Sequence, residues 1–363
     1  MYGHHGPAEL DRLRTRCRRA DTFGMWKLAL RCTVLIAIVG GAITLATASP
    51  PAPAAIARDA CGELQRVVIA GVATCTHGGD APVPDIAITG SRSLATRSAT
   101  TPAPCPGNGR AGRRIRVLLG YPSDTAAPDA AAARPLIKQA IALADQNLDA
   151  QSPAELGQHY RFWCGTDRGV TVTTVRLSAI GADNTYTFNN VANALAARGY
   201  DDPKVVYVAF VARIDCCYPY GGQGSLVDDD QPDPGYNANN GLGARYSMIR
   251  FGLSYAAGSL ALAFQHETGH NMGAVQNSAP HASGGFHCYE TYDTMCYNDG
   301  GSYFAGGGSL IGSCPDVSPT GMYAFDCHGD DYYNVTPAPS TYIADHWNVA
   351  DSSWLTPVGA NGA

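Results

Sequence analysis

An α+β fold with one twisted, mixed sheet is what the sequence predicts for residues 107–363, and three observations carry that expectation. Short apolar runs of strand length alternate with two stretches of helical periodicity. One run, 205–211 (VVYVAFV), is apolar at every position, as a central strand covered on both faces must be. A third helical stretch then follows the last strand, and the chain after it is full of loop-forming residues, so the domain is expected to end in a loop-rich C-terminal lobe.

Taken in order, residues 115–121 (IRVLLGY) read as a buried strand and 131–148 as a helix whose apolar face includes Ile137, Ile141 and Leu148. Residues 160–164 and 170–177 read as strands, and 191–198 as a second helix. A long loop rich in glycine and aspartate, opened by Cys216-Cys217, leads to a further strand at 246–251 (YSMIRF). Residues 339–355 read as a short closing helix and tail, with His346 packed beside Trp347. A region of this length suits one domain, or one domain with a cleft between two lobes.

Residues 1–48 are expected to be a signal-peptide region. An arginine-rich start is followed by Met25-Trp26-Lys27, an apolar run over 33–47 and the small-x-small site Ala46-Thr47-Ala48. The run is short for a membrane span and gives way at once to Ser49-Pro50-Pro51; Met25 as the true start would give a leader of ordinary length. Of the 12 cysteines, Cys17 and Cys32 fall in this region, and the remaining ten are expected as disulfides in an oxidising, extracellular compartment, with no pairing readable from their order. The leader carries seven basic and three acidic residues, so without it the formal charge of −6 becomes −10. That balance, with no basic cluster, argues against a nucleic-acid partner, and nothing after the leader calls for a membrane.

Residues 49–106 read as a small disulfide-containing segment followed by a linker. Residues 66–70 (RVVIA) form one short expected strand between Cys61 and Cys75, and 76–106 is a tract of Pro, Ala, Ser and Thr without apolar periodicity. A sharper alternative makes the segment a propeptide in which Cys75, within Cys75-Thr76-His77, caps a metal as a thiolate; an even cysteine count favours pairing instead.

Residues 260–297 carry the chemistry. His266-Glu267-Thr268-Gly269-His270 follows an apolar, proline-free lead-in, so the two histidines should project from one face of a helix and share a metal. Glu267 sits about 100° round the same turn, placed to exchange a proton with a metal-activated water without binding the metal itself. Gly273 is positioned to end the helix in a left-handed conformation and turn the chain back. Further on, Asp293-Thr294-Met295-Cys296-Tyr297 supplies a methionine with a tyrosine two positions later.

This pattern, H-E-x-x-H-x-x-G with a downstream methionine turn, resembles the metzincin metalloproteases, and M-x-Y at that turn is similar to the astacin and serralysin branches. The run GAVQNSAPHASGGFHC…MCY is similar to a group of secreted, actinobacterial-type zincin proteases; the specific likeness covers 264–299 and a weaker one 105–355. The resemblance implies a zincin-like catalytic domain and a secreted zinc endopeptidase acting on protein or peptide substrates. It implies Met295 as an apolar floor beneath the metal and Tyr297 as a resting ligand or oxyanion donor. It also implies that 246–251 lies by an edge on which an extended peptide pairs.

The third ligand departs from the metzincin pattern: Gln276 stands where His or Asp is expected, and a neutral amide oxygen is a poorer donor for zinc. Four readings stay open. Gln276 has the register; His287, in a loop loosened by Gly284-Gly285, has the better donor; His281, Glu290 or Asp293 is a further source; or the site is degenerate and holds metal weakly. Two other function classes fit the same residues, a catalytically weak extracellular binding protein and a zinc hydrolase of a non-peptide such as a cell-wall amide. Asp228-Asp229-Asp230 with Asp233, and Asp330-Asp331, offer hard oxygen donors for calcium, or simply face water.

Overall fold

The apolar run at 205–211 is the hub of the sheet. In this computed structural model, which describes residues 61–82, 101–312, 314 and 321–360, the run belongs to a strand, Val205–Ala212, buried along its whole length. The expected leader, 1–48, lies outside the described residues. A small hairpin, β1 (Gln65–Ile69) and β2 (Val72–Thr76), forms its own two-stranded sheet. The main sheet comprises β3 (Arg114–Tyr121), β4 (Val172–Arg176), β5 (Val205–Ala212), β6 (Gly222–Gly224) and β7 (Arg245–Phe251), in the order β4-β3-β5-β7-β6. Strands β3, β4, β5 and β7 run parallel and β6 antiparallel, so the sheet is mixed and the fold α+β.

Alternation along β5 explains its unbroken apolar sequence. Val206, Val208 and Phe210 face one core, which holds helix α1 (Ala130–Ala150) and helix α3 (Ala257–Asn271). Val205, Tyr207, Ala209 and Val211 face the other, with helix α2 (Phe188–Ala196). Period-two residues on a doubly covered strand must all be apolar. Helix α1 starts where Asp129 accepts from the Ala131 and Ala132 N–H groups and buries Ile137, Ile141 and Leu148, as expected. Helix α2 starts with a reciprocal capping box between Thr187 and Asn190. Helix α3, directly after β7, is buried at nearly every position, polar residues included.

Several expectations are corrected. Residues 160–164 are not a strand: they make isolated bridges to Ile115, Val170 and Leu355 while the backbone detours round the start of β3. Residues 246–251 do lie by an edge, as expected, since β7 sits between β5 and the edge strand β6. The edge is Gly222-Gln223-Gly224, too short and too poor in side chains to leave a strand pattern. Residues 65–76 form two strands rather than one, closed by the Cys61–Cys75 disulfide, which removes the thiolate a Cys75 metal cap would need. His346 stacks on Tyr342, ring centroids 4.1 Å apart, whereas the Trp347 indole donates to the Met272 carbonyl. The other cysteines pair as Cys105–Cys164, Cys216–Cys217, Cys288–Cys296 and Cys314–Cys327, so all ten outside the leader are bridged. Among the described residues no helix is long and apolar enough to cross a membrane.

Candidate metal centre

The C-terminal end of α3 sets the first part of the site. The helix closes with a Schellman pair: Ala274 N–H donates to the Gly269 carbonyl and Gly273 N–H to that of His270, each at 3.0 Å, with Gly273 at φ +94°. This turn brings the Ala274 carbonyl within 2.8 Å of His270 Nδ1. His266 Nδ1 faces the Thr294 carbonyl at 2.8 Å. Carbonyls only accept, so both Nδ1 atoms carry a proton, and in a neutral ring the lone pair then sits on Nε2.

The third imidazole is that of His287. Its loop is drawn in by the Cys288–Cys296 disulfide and by Ser283 N–H donating to the His287 carbonyl at 2.7 Å. His287 Nδ1 lies 3.0 Å from Asp299 Oδ2 and 3.1 Å from the Gly285 carbonyl, and its Nε2 lies 2.9 Å from Asp80 Oδ1, so acceptors face both ring nitrogens. His270 Nε2 stands 3.1 Å from His266 Nε2 and 3.2 Å from His287 Nε2. Imidazole nitrogens so close repel one another unless a proton or a metal cation lies between them. Four donors held tetrahedrally at zinc's usual distance stand about 3.3 Å apart, and this spacing fits.

Gln276 is engaged elsewhere. Its Oε1 accepts from Asp229 N–H at 3.0 Å, and its Nε2 donates to the Gly273 and Val227 carbonyls at 2.7 and 3.1 Å. The turn at Gly273 thus directs Gln276 to tie down the aspartate-rich loop. Asp293 accepts from Met295 N–H, Cys327 N–H and the Tyr332 hydroxyl, which builds the turn that presents Thr294. His281 and Glu290 belong to a separate group with Asp330 and Asp331 whose donor atoms also converge. Asp229 and Asp233 use their carboxylates on loop N–H groups. Several groups among the described residues are thus able to hold a metal ion.

Met295 is fully buried beneath the helix, and a Cβ on Gly269 would come within 2.7 Å of its sulfur. Gly269→Ala gains about 1 kcal/mol of helix propensity but overpacks this contact at a cost of about 1–3 kcal/mol. We expect a net loss, read as a lower urea midpoint.

Asp80, from the N-terminal segment, was not foreseen at all. Its Oδ1 is 2.9 Å from His287 Nε2, 3.3 Å from His266 Nε2 and 2.7 Å from the Tyr297 hydroxyl, which donates to it. His77 follows it in, its ring 3.9 Å from that of His270. The segment had been singled out for Cys75; the donor lies five residues later, in a tract with no periodicity to reveal it. Burial works to raise the Asp80 carboxyl, but His77 and His266 and the bond to His287 outweigh it and hold the group well below the usual range. Burial lowers His270 well below an ordinary imidazole. At His287 burial is outweighed by Asp299 and Asp80, which push it up to about 9.

Glu267 is buried beside Asp80, and burial followed by that charge pushes its carboxyl well above the ordinary range. Burial, then Asp80, likewise raises the Tyr297 phenol, which stays a donor. A cleft of about 390 Å3, with Leu262, Tyr292 and Leu310 among its apolar walls, opens on His266 and Glu267. No family model, curated protein or solved structure matches the chain.

Proposed function

We propose that the protein is a secreted, zinc-dependent endopeptidase, with His266, His270 and His287 holding the metal, Glu267 exchanging protons and Tyr297 serving as an oxyanion donor. The observation that carries this reading is the convergence of three Nε2 atoms, each ring fixed by an acceptor behind it, beside a buried carboxyl group. Zinc bound there would supply Lewis-acid polarisation of a water and of a substrate carbonyl. Glu267, one helix position from His266, takes the proton from the attacking water and returns it to the departing amine. Tyr297, kept protonated, donates to the oxygen on which negative charge develops. The cleft beside Glu267 takes an apolar side chain of the substrate. Ten cysteines, all in disulfides, support an extracellular setting.

Elemental analysis of the full chain folded with zinc, followed by exhaustive dialysis, tests the reading. About one zinc per chain is expected, as three imidazoles in this geometry require. A chain that comes through dialysis without zinc would overturn it.

A further inference from the structure

A second group of metal-binding side chains lies in the C-terminal lobe. His281, Glu290, Asp330 and Asp331 each offer one donor atom, all within 4.8 Å of one another, and none of them belongs to the His266–His270–His287 centre. His281 Nδ1 stands 3.2 Å from both oxygens of Asp331, 3.6 Å from Glu290 Oε2 and 3.9 Å from Asp330 Oδ1. Glu290 and Asp331 are each 1% exposed. His281 and Asp330 are part-exposed, so an ion can reach the group from solvent. Local bonds hold the donors in place: His281 N–H donates to Asp331 Oδ1 at 2.9 Å, and Asp326 takes up the Tyr332 N–H at 2.7 Å, which fixes the turn after Asp331. Glu290 is set by a parallel bridge to Ile311.

Three carboxylates gathered under cover call for positive charge. The sequence around them has none of the fixed kind: ten acidic residues and not one lysine or arginine follow Arg250. A proton on His281 offsets one charge, and His328, whose Nδ1 lies 3.5 Å from Glu290 Oε1, offers another from a half-exposed ring. Asp330 turns its Oδ1 inward, where no hydrogen bond from the described residues meets it. Burial, with the charges of Asp330 and Glu290 adding to it against the bond and charge of His281, pushes the Asp331 carboxyl up to about 7. A divalent cation among the four would offset the repulsion that this shift reflects.

We propose that His281, Glu290, Asp330 and Asp331 form a second, exchangeable metal site that takes a divalent ion of the manganese class. The inference does not depend on the zinc reading above. Donors about 2.1 Å from an octahedral ion stand about 3.0 Å apart when adjacent and about 4.2 Å apart when opposite, and the separations from His281 Nδ1 fall within that span. Three carboxylates suit a hard ion, and the imidazole favours manganese over calcium, which takes oxygen donors. His281 and Glu290 flank the loop that carries His287, whereas Asp330 and Asp331 belong to the C-terminal lobe. An ion bound to all four therefore ties both ends of that loop to the lobe. With a single imidazole and part-exposed donors, the site gives up its ion on dialysis, where three imidazoles hold theirs.

The test titrates manganese chloride into the full chain, folded with zinc and then dialysed, and reads the free ion by the paramagnetic resonance signal of hydrated Mn2+. Manganese stands below zinc in divalent affinity, so it does not displace zinc from the imidazole centre. We expect about one Mn2+ bound per chain, with the zinc content unchanged. Asp330→Asn, at a part-exposed position where folding is least at risk, and His281→Gln should each weaken Mn2+ binding at least about tenfold, since losing even a partner of a ligand costs that much. Asp233→Asn, in the other aspartate-rich loop, should bind as wild type does. Equal Mn2+ affinity in wild type, Asp330→Asn and His281→Gln would overturn the proposal, as would a wild type that takes up none. Weakening by Asp233→Asn as large as that by Asp330→Asn would mean diffuse binding to acidic loops and would overturn it too. If the chain holds no zinc and Asp330→Asn still lowers Mn2+ affinity, the zinc reading falls and the second site stands.

Discussion

Glu267→Gln is expected to keep the zinc content of the parent and to lower peptide turnover by about 10²- to 10⁴-fold, the range that a positioned general base contributes. Gln matches Glu in volume, so the buried helix is not disturbed, and an amide cannot take up the proton that a carboxylate accepts. The measurement is hydrolysis of a quenched peptide alongside elemental analysis. Turnover equal to the parent would remove Glu267 from the mechanism, whatever the metal does.

His287→Ala carries the second large effect. Losing an outer-shell partner of a metal ligand costs about 10–100-fold in affinity, so losing the ligand itself should cost more. We expect His287→Ala to give up its zinc on dialysis, Asp299→Ala to weaken binding within that 10–100-fold range, and Gln276→Ala to keep the metal while loosening the loop it holds at Asp229. Competition titration with a chromophoric chelator reads all three. Retention by His287→Ala and loss by Gln276→Ala would restore the register-based ligand.

Much of the α+β fold was legible because its signals are local. The runs at 115–121 and 205–211 lie within strands, and the helix carrying His266, Glu267 and His270 sits where its apolar lead-in placed it. Gly273 ends that helix as its position implied. Local signals could not choose the third imidazole, because register favoured Gln276 and only the path of the 281–288 loop brings His287 in. Donor chemistry pointed to His287 all along, imidazole being better than an amide, and the Cys288–Cys296 bridge beside it settles where the loop goes. Asp80 lay beyond reach for a different reason. Its place beside the imidazoles depends on an isolated bridge to β6, and three residues of Gly-Gln-Gly advertise no strand for anything to pair with.

That same strand limits how this surface can vary. A Cβ on Gly222 would come within 1.9 Å of Glu267 Oε1, and one on Gly224 within 2.9 Å of the Glu267 carbonyl. The two glycines share a face, the one turned to the helix, so neither position accepts a side chain without displacing Glu267. Toward the helix the strand is bare backbone; its one side chain, Gln223, reaches Thr76 Oγ1, while the opposite wall of the cleft carries Thr291, Tyr292 and Leu310. Under the proposed peptidase reading, differences in selectivity are expected to collect on that wall while the two glycines stay fixed.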